Sequence, residues 1–183
     1  MKAGDVCGHK FVLCLLLGKM RAVGCGWRVG VVQESKGAWD RGERRLREGS
    51  ADMRWQSMGE GFTWETQDRA RDVAAAEAAW ARARGRMAAP GIRLVILDEL
   101  NIALRYDYLD IDAVVAALRA RRPDLHVVVT GRNAKPALLE PADLVTEMGK
   151  VKHHFSAGEK EQEGIERPEE RCVVRESRYL WSH

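Results

Sequence analysis

Leu94-Val95-Ile96-Leu97-Asp98-Glu99 is the stretch that decides how this chain folds. Four apolar residues without polar alternation, at strand length, predict a strand buried on both faces. The run stops at two carboxylates. Upstream, Arg28-Val29-Gly30-Val31-Val32-Gln33 has the same character after Gly-rich punctuation, and downstream His126 to Val129 repeats it, ended by Thr130-Gly131. Between these runs lie helical patterns. From about Thr66 to Met87, Val73, Ala76, Trp80, Ala83 and Met87 share one face, with Arg69, Arg71, Asp72, Glu77 and Arg84 mostly off it. Thr63 or Thr66 is expected to cap that helix, and Pro90-Gly91 to close the segment after it. Asp110 reads as the N-cap of a second helix, with Leu109 and Val114 as its hydrophobic staple and Ile111, Val114, Val115 and Leu118 as its stripe. Met53 to Met58 is expected to form a strand, about Lys135 to Leu139 a short helix, and Leu144 to Thr146 a last strand. Strand, helix, strand, helix, strand with unbroken apolar strands predicts an α/β fold: a mostly parallel sheet with helices on both faces.

A chain of 183 residues predicts one domain. Its 45% hydrophobic and 31% charged residues exclude a disordered chain, a collagen-like fibre and a disulfide-stapled miniprotein. A net charge of +3 is too small to argue a nucleic-acid partner. Cys7, Cys14, Cys25 and Cys172 form no C-x-x-C pair and no zinc-ligand spacing, so reduced thiols are expected. The longest apolar run, Phe11 to Leu17, falls far short of the roughly 20 residues that span a bilayer. Lys19 and Arg21 come after it where a secretory signal needs small uncharged residues. A cytoplasmic protein without a membrane segment is the expectation. Six of the twelve aromatic residues are Trp, and only position can say whether they serve the core or a ligand.

In a parallel α/β sheet, ligands sit beyond the carboxyl ends of the strands. That directs attention to Gln33–Lys36, Asp98-Glu99 and Thr130-Gly131-Arg132. Asp98-Glu99 resembles the carboxylate strand end that holds Mg²⁺ beside nucleotide phosphates, and reads equally as polar residues opening a loop. Arg132 suits a phosphate or ribose contact, since a guanidinium grips anions bidentately, and Lys36 lies just past the first clear strand. For both, a solvated loop cation is the plainer reading. Phe62 and Trp64 lie in Gly59-Glu60-Gly61-Phe62-Thr63-Trp64-Glu65-Thr66-Gln67, outside any periodic pattern. Large rings in a Gly-flanked loop cover a flat ligand or plug the core edge.

Together these segments resemble the P-loop type of corrinoid adenosyltransferase, the ATP:cob(I)alamin adenosyltransferase of cobalamin synthesis and salvage. The resemblance rests on Arg21-Ala22-Val23-Gly24, Arg28–Gln33, Lys36-Gly37-Ala38-Trp39 and the block from Met58 to Arg71. It continues through Leu97-Asp98-Glu99-Leu100-Asn101, Tyr106-x-Tyr108-Leu109-Asp110, Val129-Thr130-Gly131-Arg132, Ala142–Met148 and Val151-Lys152-His153. It covers residues 21–166 and implies a P-loop NTPase-like, RecA-type fold. It further implies transfer of the 5′-deoxyadenosyl group of ATP to the Co(I) of a corrinoid, with release of triphosphate. Cobalt is then the nucleophile, and the protein's work is positioning and stabilising charge on the leaving group. By the same resemblance Phe62 and Trp64 crowd the lower face of the corrin, Glu99 binds Mg²⁺, Arg132 contacts the nucleotide, and the chain forms homodimers.

Both ends depart from that pattern. Where the family has a Gly-Lys-Thr phosphate loop after a buried strand, this chain has Gly4-Asp5-Val6-Cys7-Gly8-His9-Lys10-Phe11. Gly8 and Lys10 are the nearest nucleotide-binding candidates, with Phe11 where a hydroxyl is needed; Gly18-Lys19-Met20 is a poorer second. The first strand and phosphate loop are therefore expected to be degenerate, with residues 1–20 an atypical segment. Residues 167–183 are expected to be a disordered tail outside the family domain. Two altered ends around an intact middle fit either a shifted reading frame or divergence. Losing even two charge-assisted phosphate contacts, at roughly 1.5–3 kcal/mol each, weakens triphosphate binding by orders of magnitude. The alternative function is therefore a non-catalytic corrinoid-binding or dimer-partner protein.

Overall fold

The computed structural model describes residues 18–33, 53–57, 68–148 and 177–182. Among the described residues six strands form one sheet: β1 (Arg28–Gln33), β2 (Met53–Ser57), β3 (Ile92–Asp98), β4 (His126–Val129), β5 (Leu144–Met148) and β6 (Ser177–Ser182), in the order β2-β1-β3-β4-β6-β5. β2, β1, β3 and β4 are parallel; unbroken apolar runs predict this for β1, β3 and β4, whereas β2, Met-Arg-Trp-Gln-Ser, has no such run. β6 runs antiparallel to both β4 and β5, so β5 keeps the common direction.

The described helices are α1 (residues 18–24), α2 (Arg69–Ala88), α3 (Leu100–Arg105), α4 (Ile111–Arg119) and α5 (Pro136–Leu139). Residues alternate between the two faces of the sheet. Val32, Val95, Leu97, Val127 and Val129 enter one core with Ala76, Trp80, Ala83, Leu104, Val114 and Leu138 from α2 to α5. Val29, Val31, Leu94, Ile96 and Val128 enter a second with Ala22 of α1. Gly30 lies on the α2 side, where a Cβ would be in ordinary contact with the Arg86 side chain.

Several elements differ from expectation. α2 starts later and is capped by Asp68, whose carboxylate accepts the Arg71 N–H at 3.2 Å; Thr63 and Thr66 lie outside the described residues. Asp72 is buried on the core side of α2 instead of lying off it, because it receives the Tyr108 hydroxyl. α3 has no counterpart among the expected elements: Leu100 to Leu104 are all buried, so no polar face marks a helical period. α4 matches its pattern closely, with Asp110 accepting the Asp112 N–H at 3.1 Å and Leu109 and Val114 both buried.

The tail expected to be disordered supplies β6 over Ser177–Ser182. β4 and β5 stand one strand-width apart, and β6 pairs with both, from Val127↔Ser182 to Val129↔Leu180 on one side and Leu144↔Trp181 to Met148↔Ser177 on the other. Two open strand edges are a strong template for an extended segment, and Tyr179-Leu180-Trp181 has the composition to take it.

At the opposite end, β3 carries an extra residue. Arg28 pairs with Ile92 and Val29 with Leu94, leaving Arg93 bulged and exposed. Its guanidinium sits 4.2 Å above the Trp27 ring, which in turn stacks on His126 at 5.1 Å between centroids. Trp27 and Trp80 thus both serve packing, Trp80 inside the first core and Trp27, half-buried, against the second.

Candidate active site

The strands bring their functional ends to one edge. Gln33, Ser57 and Asp98 are level, with Gln33 paired to both Ser57 and Asp98; Leu97 pairs with Val129. Asp98 and Glu99, half-buried at the end of β3, therefore stand beside Thr130, Gly131 and Arg132 at the end of β4. The chain leaves β1 towards Lys36, and β2 towards Phe62 and Trp64, from this same edge. Lys36, Phe62, Trp64, Gly8 and Lys10 themselves lie outside the described residues. Lys19, from the second phosphate-loop candidate, is buried in α1.

Three local features shape this edge. Glu99 adopts a left-handed conformation, φ 64°, in turning from β3 into α3. Its N–H donates to the Thr130 hydroxyl at 2.9 Å, and that hydroxyl donates to Asp98 Oδ1 at 2.7 Å. Gly131 has φ 133°, and a Cβ built on it would lie 2.7 Å from the Cβ of buried Asn101. In the sequence Thr130 and Gly131 stand beside Arg132 at a ligand-side strand end but carry no role of their own; a hydroxyl directly after an apolar run is the one signal of more.

A second group fixes the start of α2, the helix next in the chain after the Phe62–Trp64 segment. Arg69 donates to the carbonyls of Tyr106 and Asp107, each at 3.2 Å, and its guanidinium lies 5.5 Å from the Tyr108 ring centroid. The Tyr108 hydroxyl donates to Asp72 Oδ2 at 3.3 Å. Lys135 pairs with Asp107, and this hydrogen bond and charge hold the Asp107 carboxyl below its ordinary range. The Tyr108 phenol is pushed up from its ordinary 10.0, first by burial and then by the charge and hydrogen bond of Asp72, against a smaller opposing effect of Arg69. A raised phenol pKa stabilises the fold fully below the unfolded value and loses that contribution as pH climbs through the folded one. Asp72→Asn is therefore expected to bring the Tyr108 ionisation down towards that of an ordinary tyrosine. Ultraviolet titration of tyrosinate in the parent and the variant reads the shift, and an unchanged or raised ionisation contradicts it.

A carboxylate pair ending a central parallel strand, beside the Thr-Gly-Arg segment that follows its neighbour, suits a nucleotide with its phosphates and metal. Comparison with known proteins shows the family. Residues 16–167 match the family model described as ATP:corrinoid adenosyltransferase BtuR/CobO/CobP. The chain belongs to the ATP:corrinoid adenosyltransferase family. It is 55% identical over 147 residues to the corrinoid adenosyltransferase of Pseudomonas aeruginosa, a match covering 80% of this chain and 72% of that protein. It is 47% identical over 146 residues to corrinoid adenosyltransferase CobA of Salmonella typhimurium, covering 80% and 74% respectively. The corrinoid adenosyltransferase of Escherichia coli K12 is 46% identical over 146 residues, with the same coverage. By family this adenosyltransferase is an enzyme of corrinoid adenosylation in cobalamin pathways. Among the described residues of the adenosyltransferase, no helix is long and apolar enough to cross a membrane.

Proposed function

We propose that this chain transfers the 5′-deoxyadenosyl group of ATP to the Co(I) of a corrinoid, releasing triphosphate, and that its triphosphate binding is weakened. The observation that carries the reading is the gathering of Asp98, Glu99, Thr130, Gly131 and Arg132 on the carboxyl edge, within a chain of this family. Two adjacent carboxylates fit Mg²⁺, which binds through one or two protein carboxylates plus phosphate oxygens and water. Glu99, with Asp98 beside it, would hold that ion, which when bound neutralises charge on the phosphates. Arg132 contacts the nucleotide, while Lys36 and the residual loop at Gly8 and Lys10 face the phosphates. Phe62 and Trp64 press on the lower corrin face and exclude an axial ligand from cobalt. The enzyme works as a homodimer in the cytoplasm.

Gly8-His9-Lys10-Phe11 has neither the Gly-Lys pair nor the hydroxyl of a phosphate loop, and the buried position of Lys19 supports no substitute there. The same observation favours a second reading, a corrinoid-binding protein that no longer holds triphosphate. One experiment separates them. The full chain is given ATP, Mg²⁺ and chemically reduced cobalamin, and adenosylcobalamin and triphosphate are measured; cobalamin and ATP are titrated separately. Product in equal amounts of both is the expected result, with an ATP affinity well below that of a relative with an intact loop. No product at high protein concentration, with cobalamin bound and ATP not, establishes the second reading.

A further inference from the structure

Thr130 ties the end of β4 to almost every residue that turns out of β3. Its N–H donates to the Leu97 carbonyl at 3.0 Å, and its carbonyl accepts the Asn101 N–H at 3.3 Å. Between those two backbone bonds its hydroxyl donates to Asp98 Oδ1 at 2.7 Å and accepts the Glu99 N–H at 2.9 Å. The residue is 1% exposed, so the hydroxyl works in a site where each polar contact counts for more than in water. A hydroxyl has one proton to give, and here Asp98 receives it. That orients the Asp98 carboxylate and leaves the hydroxyl lone pairs for Glu99.

Glu99 has its own peculiarity. A non-glycine residue in the left-handed region costs about 1–2 kcal/mol, and such strain persists where surrounding contacts over-determine it. The Thr130 bond to its N–H is one of those contacts. Glu99 is also the N-cap residue of α3, yet its side chain makes no capping bond. The usual reward of an acidic N-cap is thus not why a carboxylate stands here.

We infer that Thr130 is a positioning residue for adenosyl transfer: it sets the direction of the Asp98 carboxylate and the backbone of Glu99 without touching substrate or metal. The inference rests on the reading of Asp98-Glu99 as the Mg²⁺-holding pair. A threonine that merely closed the sheet edge would be served by its two backbone bonds, which any residue but proline provides. The hydroxyl adds contacts to the two carboxylate residues.

Thr130→Val keeps the shape and removes the hydroxyl; Thr130→Ser keeps the hydroxyl. Both are made in the full chain. Amide hydrogen exchange of Glu99 is followed without ligand, and Mn²⁺ binding to the nucleotide-free protein is followed by electron paramagnetic resonance of the free ion. Thr130→Val is expected to speed Glu99 exchange and to weaken Mn²⁺ binding about tenfold, the loss of one hydrogen bond near a charge. Metal-free ATP affinity should stay within about twofold, and Thr130→Ser should restore both Mn²⁺ affinity and slow exchange. Mn²⁺ affinity unchanged in Thr130→Val, with the parent binding Mn²⁺, overturns the positioning role and leaves the carboxylate pair standing. No Mn²⁺ binding by the parent overturns the assignment of the pair, and the inference with it. Thr130→Ser behaving like Thr130→Val overturns the hydroxyl as the cause.

Discussion

Gly131→Ala is expected to lower stability by about 3 kcal/mol, the combined order of a left-handed strain and an overpacked contact. At φ 133° the backbone of Gly131 is in a region that L side chains avoid. The added methyl would also sit 2.7 Å from Asn101 Cβ and 3.3 Å from the Asn101 backbone nitrogen. Neither atom is the far end of a flexible chain. Asn101 lies in α3 between buried Leu100 and Ile102, so relief requires moving the helix or the end of β4. For a domain of this size the loss corresponds to a fall in melting midpoint of about 6–12 °C. Chemical denaturation of both proteins measures it. Gly24→Ala is the control, since a Cβ there meets nothing within 4 Å. Equal stability of Gly131→Ala and the parent would show that β4 and α3 do not approach so closely.

That close approach is not legible in the sequence, and the reason is general to this fold. The strands β1, β3 and β4 are legible because burial on both faces leaves unbroken apolar runs, and Asp110 because a cap is a local event. α3 is not, since a six-residue helix with five buried residues has no polar face to mark its period. Asp72 reads as lying off the core face of α2 because the residue that satisfies it, Tyr108, is 36 positions away. β6 is beyond reach for the same reason: its place depends on a gap between β4 and β5 that exists only once the sheet is assembled.

The site divides along the same line. The placement of Asp98, Glu99 and Arg132 together is legible because the ends of neighbouring parallel strands fall on one side of the sheet, and the structure brings them there. Lys36, Phe62 and Trp64 take their roles from the resemblance, and the strands that lead to them, β1 and β2, end level with Asp98. The role of Thr130 is hidden. Its hydroxyl partners come from the end of β3, and they are brought within reach by the β3–β4 register, Leu97 opposite Val129.

Glu99→Gly is expected to move stability and activity in opposite directions. The left-handed backbone of Glu99 costs about 1–2 kcal/mol that glycine does not incur, while glycine's greater freedom in the unfolded chain takes back about 0.5–1 kcal/mol. The N–H bonded to Thr130 is retained. The net result is a protein as stable as the parent or slightly more so. Its adenosylation rate, by contrast, should fall on the order of 10²-fold or more, the usual loss when a group that stabilises developing charge is removed. Glu99→Gln separates the two causes, because it keeps the strained backbone and the side-chain volume and removes only the charge. It should match Glu99→Gly in lost rate and fall below it in stability. Denaturation midpoints and adenosylcobalamin formation in all three proteins decide the matter. A Glu99→Gln enzyme with full activity shows that the charge is not used, and a Glu99→Gly protein clearly less stable than the parent shows that the backbone is not strained. If both expectations hold, a residue of local instability has been kept at the strand end for the carboxylate it carries.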